Sequence, residues 1–581
     1  MSNFPKTIEN LGDSISSELD GNPPLWVTKR QGSHGEEVYI NNAKLITERS
    51  NFQSKITVDG EVKTQVLHTI NAVLEPVRSN AEMPIYSPNA FEFLNQSENL
   101  DLGVHRVRIF RQRIVKEKKE EVFKADGRYT FLIPVDEGFQ PTLRPEKVDR
   151  VVIDGHVIPN HVLFTTPTPD NVPYETLAFT DNVKVTVSFL KVLDKVYIKS
   201  NTLVGDAGHP TGVVLAEIIK SNIPVPNGVV HLIQRPLMVV DTTVKDFLEE
   251  KKDGPVYKFY ETIRDFGDEI MSTISHLRDV TLFAPSNAAL EEPGVQKILQ
   301  DKERVKEILN LHYVKERLPL DKIKNKSVSQ VATAADRKKL YFNVVQGANG
   351  NQVVTVEGGG VNATVVTANI AATNGLIHII DRVLGVPYTT VLDKLKTDPM
   401  LNSTYFLGQR HGFNDQLSDP TKRFTYFAPR DYAWNVAEIS FPSTSKKIFM
   451  PEFSYHTKQI LERHLVIADE AFTMAKLKEM KHNETIVLPA ARDSLKLRVR
   501  EYSENDKYDE NAIRPETFGY QIEWEGNWIR VFRPDVECTN GIIHVIDAVL
   551  LKDSDVRVTG AASAFSVAPH LIMILAAKWL L

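Results

Sequence analysis

The sequence predicts a tandem array of α+β domains, and three observations predict it. The first is a repeated phrase. NGLIHIIDRVL, at 374–384, returns as NGIIHVIDAVL at 540–550, and more loosely as NGVVHLIQRPL from Asn227 and TQVLHTINAVL from Thr64. Aligned on the histidine, the copies put His68, His231, His378 and His544 at a period of about 160 residues, the size of a domain rather than of a solenoid unit. The second observation is helical periodicity toward the front of a repeat. In VQKILQDKERVKEILNLHYV, from Val295, residues Ile298, Leu299, Val305, Ile308, Leu309 and His312 share one stripe. The third is strand chemistry toward the back. NQVVTVEGGGVNATVVTANI, from Asn351, sets β-branched runs around Gly358, Gly359 and Gly360 and reads as a hairpin. Helices in front and strands behind select α+β over an alternating α/β plan.

The totals agree. A length of 581 residues corresponds to about four domains of ~150 each. Hydrophobic content of 42% with 25% charged residues is ordinary for core-forming chains. A net charge of −6 gives no electrostatic reason to expect nucleic acid as a partner. Cys538 is the single cysteine, so no internal disulfide forms. The chain either occupies a reducing compartment or builds cores large enough to need no staple.

The first residues, MSNFPKTIENLGDSISSELDG, lack the apolar run of a secretory signal. The other end is different. Small residues Gly560, Ala561 and Ala562 precede a spacer at 563–570 and an apolar tail, LIMILAAKWLL, at 571–581. This is the layout of a GPI-attachment signal, with Gly560 and Ala561 as attachment candidates. A terminal amphipathic helix or a weak span is the alternative, because the tail falls short of the ~20 residues of a full span.

Two further marks recur in each later repeat. Upstream stand TFLIPVDEGF at Thr130, TLFAPSNAAL at Thr281 and TYFAPRDYAW at Thr425; between the two phrases lie NHVLF with His161, LHYV with His312 and RHLV with His464. FAPSNAAL and NGLIHIIDRVL together resemble the two signature blocks of the fasciclin-domain family, and the resemblance covers nearly all of the chain before the tail. The second repeat departs from the pattern, with Ile133 for the usual alanine and Gln234 for the usual acidic residue.

The resemblance implies a β-strand wedge flanked by α-helices in each domain. It implies these boundaries: 1–79, the C-terminal part of a truncated first fasciclin domain; 80–242, 243–388 and 389–552, three whole domains; and 553–581, the hydrophobic tail. The front block belonging to His68 would fall before residue 1, so an incomplete or alternative start is expected.

Four repeats and a lipid signal resemble the insect members of the family that act in neural cell adhesion and axon guidance. That likeness implies homophilic binding to a copy on an apposed cell, at the outer face of the cell membrane, with other surface or matrix proteins as further partners. Short β-branched linkers, RPLMVVDTTV at Arg235 and LGVPYTTV at Leu384, predict limited motion between domains.

Two rival readings are weaker. The first is a secreted extracellular-matrix or integrin-binding protein: family members that bind integrins use a Tyr-His helix segment, but here those positions are Leu311-His312 and Arg463-His464, and no Arg-Gly-Asp occurs. A hydrolase needs a nucleophile with its base, and no Gly-x-Ser-x-Gly, His-Glu-x-x-His or Cys-x-x-Cys is present.

No catalytic, cofactor-binding or metal-binding residue is therefore expected. His161, His231, His312, His378, His464 and His544 read as interior scaffolding that needs hydrogen-bond partners. Asp381 and Asp547 close the repeated phrase and read as caps or partners of a basic neighbour. The glycine of Asn-Gly reads as a turn with positive φ. Cys538 reads as a buried free thiol.

Asn95, Asn325, Asn362, Asn402 and Asn483 head N-glycosylation sequons, with Asn362 and Asn402 expected to be accessible. The basic run from Arg106 to Lys119 offers anionic glycans or lipid headgroups a surface. The acids Glu117, Glu120 and Glu121 favour a solvated helix face instead.

Overall fold

The computed structural model describes residues 2, 4–33, 35–80, 86–140, 144–250, 254–347, 350, 352–480, 484–503 and 518–556. The chain separates into two compact units. One holds 1–250 with 274–281 and 367–378; the other holds 251–273, 282–366 and 379–581, so the third repeat lends residues to both.

In the first unit, Ser14–Ser16, Pro24–Gly32, Gly35–Ile40 and Ala43–Lys44 form an antiparallel sheet. Leu11, Val27, Val38, Ile40 and Leu45 pack together beside it. A separate hairpin, Phe52–Val58 with Glu61–Leu67, turns at Asp59 and Gly60, both at positive φ as such a two-residue turn requires.

The second repeat follows. Its front is helical: Ala90–Asn95, Arg108–Lys116, Glu120–Lys124 and Arg150–Asp154. Its back is a hydrogen-bonded run of strands, Tyr174–Phe179, Lys184–Val192, Lys195–Val204 and Gly212–Val225. Between them, Gly228–Ile233 runs parallel to Tyr129–Pro134 and antiparallel to Gly212–Val225. Every residue of Gly228–Ile233 is buried, which is why the repeated phrase is apolar on both faces.

In the second unit the fourth repeat shows the same plan. Gly541–Ile546 lies parallel to Arg423–Pro429 and antiparallel to Asn527–Cys538, and the sheet continues through Phe518–Trp524, Ser494–Ser503 and Ile486–Pro489. The paired central strands divide two cores. Phe424, Tyr426, Ile543 and Val545 face Leu395, Leu407, Phe413, Trp434 and Ile460 on the helical side. Phe427 and Ile546 face Leu477, Leu488, Leu497 and Ile522 inside the sheet. Strand alternation thus wedges one strand pair between two apolar layers.

In the third repeat Gln352–Gly358 and the first residues of Val361–Ala372 form the expected hairpin, turning at Gly359 and Gly360, both at positive φ. The fold is a tandem of α+β wedges.

Candidate functional site: clasps, histidine bolts and repeat seams

The asparagine of each Asn-Gly is a clasp. Its side-chain oxygen accepts the first backbone N–H of the leading helix: Ala90 from Asn227 at 3.1 Å, Val244 from Asn374 at 2.9 Å and Val391 from Asn540 at 2.9 Å. Its amide nitrogen donates to two carbonyls: Phe123 and Ala125, Ile274 and Leu277, or Leu417 and Asp419. One side chain, buried in Asn227 and Asn540 and half-buried in Asn374, so ties the start of a repeat to its end, with every side-chain polar atom bonded.

The glycine beside it corrects the sequence reading. Gly228 has positive φ, but Gly375 and Gly541 lie outside that region. Close approach is the shared requirement. A Cβ would meet the Tyr129 oxygen at 1.8 Å, the Val280 oxygen at 2.0 Å and the Phe424 oxygen at 2.4 Å. Any side chain would push the parallel partner strand away.

The strand histidines bolt a bulge. Nδ1 accepts the backbone N–H of Asn222 in His231 (3.1 Å), of Asn369 in His378 (3.1 Å) and of Asp535 in His544 (3.2 Å). Each donor has positive φ, and register shifts flank the one opposite His231 and the one opposite His544. Nε2–H then donates to Leu163 O at 2.8 Å in His231 and to Phe472 O at 2.9 Å in His544. His68 repeats the arrangement, taking the Asn51 N–H at 3.5 Å and giving to Lys6 O at 2.7 Å. A bulge exposes an N–H that the ladder no longer satisfies, and the imidazole satisfies it.

The middle histidines work in the other tautomer. Nδ1–H donates four residues back, to Ile308 from His312 and to Ile460 from His464, both at 2.8 Å. Nε2 accepts the N–H of Leu384 at 3.1 Å and of Leu550 at 2.9 Å.

In the second repeat this role belongs to His156, which donates to Val152 O at 2.6 Å and accepts from Leu237 at 2.9 Å. His161 is exposed, bonds Pro159 O and meets the Tyr174 ring edge-on. The reading of His161 as interior scaffolding is therefore corrected. The overlooked signal is the His-Val of DGHVIP, matching the histidine-to-strand step of LHYV and RHLV.

Burial favours the neutral ring in five of these histidines. It depresses His156, His231 and His312 to about 4 and His464 to about 3, and it lowers His544. A proton shuttle needs a ring nitrogen facing substrate; His156, His231, His312, His464 and His544 each have both nitrogens engaged by the backbone and no exposure.

The two aspartates differ. Asp381 accepts the Thr364 N–H at 2.6 Å, while Asp547 pairs with Arg430 Nε at 2.6 Å. Four cations of the basic run hold acids: Arg108 pairs with Glu98, Arg113 with Glu117, Lys116 with Glu146 and Lys119 with Asp154. Burial pushes the Cys538 thiol up to about 12.

Among the sequons, Asn95, Asn325 and Asn402 are exposed, whereas Asn362 is half-buried with its side-chain oxygen shut from solvent. Asn483, Gly560 and Ala561 lie outside the described residues.

Seams join successive repeats within each unit. In the first unit Trp26 packs on Val162, Phe164 and Val229 and donates Nε1–H to Val225 O at 3.2 Å. In the second, Arg533 of the fourth repeat is fully buried and bonds Glu357 of the third at 2.6 Å, and also Asp398; Lys394 lies 3.2 Å from Glu357. Burial pushes the Asp398 carboxyl up, but Arg533 and Lys394 outweigh it and hold it below the usual carboxylate range. Two cations and two anions close on one another across the seam.

A recurring α+β wedge, clasped by asparagine and bolted by buried histidines, defines a class of tandem repeat domain, and the chain belongs to the fasciclin-domain family. The family model, Fasciclin domain, matches residues 105–239, 258–387 and 399–552. The chain is similar to Fasciclin-1 of Schistocerca americana, 54% identical over 595 residues that cover 100% of this chain and 87% of that protein. It is 47% identical to Fasciclin-1 of Drosophila melanogaster over 590 residues, 99% of this chain and 87% of that one. A solved FAS1 domain pair from the insect cell adhesion molecule fasciclin I shares 47% identity, covering 53% of this chain and 100% of that chain, with a TM-score of 0.48.

Proposed function

We propose that this chain is a homophilic adhesion protein of the outer cell surface, held there by a GPI anchor and acting between neural cells. It is an adhesion protein of tandem fasciclin domains and not an enzyme; the observation that carries this is 54% identity to a Fasciclin-1 along the whole chain.

Multivalency supports homophilic contact. Several domains bearing weak contacts gain effective concentration when confined to a membrane. Among the described residues no helix is long and apolar enough to cross a membrane. The lipid reading rests on the small-spacer-apolar order at 560–581, with Gly560 or Ala561 as the attachment residue. The domains take the boundaries 1–79, 80–242, 243–388 and 389–552, and exposed Asn95, Asn325 and Asn402 carry glycans.

The experiment is expression behind a working signal peptide, followed by phosphatidylinositol-specific phospholipase C on intact cells. Release into the medium supports the anchor, and retention overturns it. Beads coated with released protein should aggregate with one another; dispersed beads overturn self-binding.

A further inference from the structure

The fourth repeat turns a basic, aromatic sheet face to solvent. Along Ser494–Ser503 the residues Leu495, Leu497 and Val499 point into the core, so Lys496, Arg498 and Arg500 share the outer face. Register extends the face across two more strands. Arg498 lies beside Glu523 and Glu523 beside Trp528; Arg500 lies beside Gln521 and Gln521 beside Arg530.

The side chains stack. The Arg500 guanidinium sits 3.9 Å from the centre of the Trp528 ring and Arg498 sits 5.8 Å from it; Arg530 approaches Phe532 at 5.8 Å. Arg500 is further held by Gln521 Oε1 at 2.8 Å. Lys496 is exposed and carries no ion pair among the described residues. Along Ser494–Ser503 the outward cations are Lys496, Arg498 and Arg500, and the acid beside them, Glu523, pairs with Arg498. The corresponding strands of the third repeat turn out Lys339, Asn343, Thr355 and Thr364, so the row of three cations belongs to the fourth repeat and not to the wedge itself.

We propose that this face binds a sulfated glycosaminoglycan chain. Guanidinium groups pre-set on an aromatic ring present paired donors to sulfate and carboxylate oxygens at little entropic cost. The half-exposed Trp528 ring offers an apolar surface to a sugar ring between two anionic substituents. A row of cations along one strand suits a linear polyanion, and the exposed aromatic ring, Trp528, lies under the Arg500 and Arg498 guanidinium groups rather than standing free to enter a lipid surface. The choice of a glycan rests on the extracellular reading above.

The test measures binding of the full chain to a heparin dodecasaccharide, to fully desulfated heparin and to phosphatidylserine vesicles across a salt series. Heparin should bind best, with log K falling linearly in log salt as counterions are released. The double variant Lys496→Gln/Arg500→Gln should bind about tenfold more weakly with a shallower salt slope. Trp528→Ala should weaken binding with the slope unchanged. Arg108→Gln/Lys116→Gln should bind as the parent does, because both cations already hold acids.

No heparin binding at about 0.15 M salt, equal binding of the desulfated chain, tighter binding of the vesicles, or a folded double variant that binds like the parent would each overturn the proposal. Should the double variant fail to fold, Lys496→Glu gives the same readout from an exposed side chain. Bead aggregation in the same preparations reports the adhesion reading separately.

Discussion

Acid should loosen the second repeat well above the pH at which carboxylates titrate. His156 and His231 are buried with folded values of about 4, against 6.5 when free. Between those values the unfolded chain binds protons that the folded chain refuses. The stability tied to these rings is complete above pH 6.5, falls as pH drops, and is fully lost near pH 4. Each imidazole contributes a slope of about 1.4 kcal/mol per pH unit. From pH 6.5 to 5 the pair therefore costs about 4 kcal/mol, a large part of the ~5–15 kcal/mol that holds a domain folded.

The assay is hydrogen exchange of peptides spanning 222–237, corrected for intrinsic rates, in the parent and in His156→Gln/His231→Gln. Subtracting the two chains removes the carboxylates they share, including Asp136 and Asp154, which burial raises. Protection in the parent should fall by roughly two further powers of ten over each pH unit in this window. Identical pH profiles for the two chains would refute the claim that the rings fold neutral.

Three other expectations follow from the same contacts. Asn540→Ala removes three hydrogen bonds at the clasp and should cost the fourth repeat about 3 kcal/mol in denaturant unfolding. Arg533→Met strands Glu357 and Asp398 in a dry seam and should destabilise the third and fourth repeats by about 4 kcal/mol. Adding Glu357→Gln, Asp398→Asn and Lys394→Met should restore most of that loss in calorimetry. Cys538 should resist iodoacetamide at pH 8 until the chain is unfolded, since its thiolate is scarce and buried.

What the sequence determined by itself was whatever depends on neighbours along the chain. Repetition at domain length, the stripe leading to His312, the glycine turn at 359 and 360 and the apolar run around His378 are local patterns, and local patterns set element type. The tertiary structure decided what depends on residues brought together from far apart. Asn540 touches Val391 and Leu417, and Arg533 finds Glu357 in the preceding repeat. Neither meeting has a periodicity to betray it. The choice of His156 over His161 was equally hidden. Both precede apolar strand-like residues, and only the packed helix end and the returning Leu237 N–H show which ring is enclosed. Gly375 and Gly541 make the same point. A glycine's spelling permits a turn, but the carbonyl waiting 2.0 or 2.4 Å from a missing Cβ belongs to another strand and exists only once the wedge has closed.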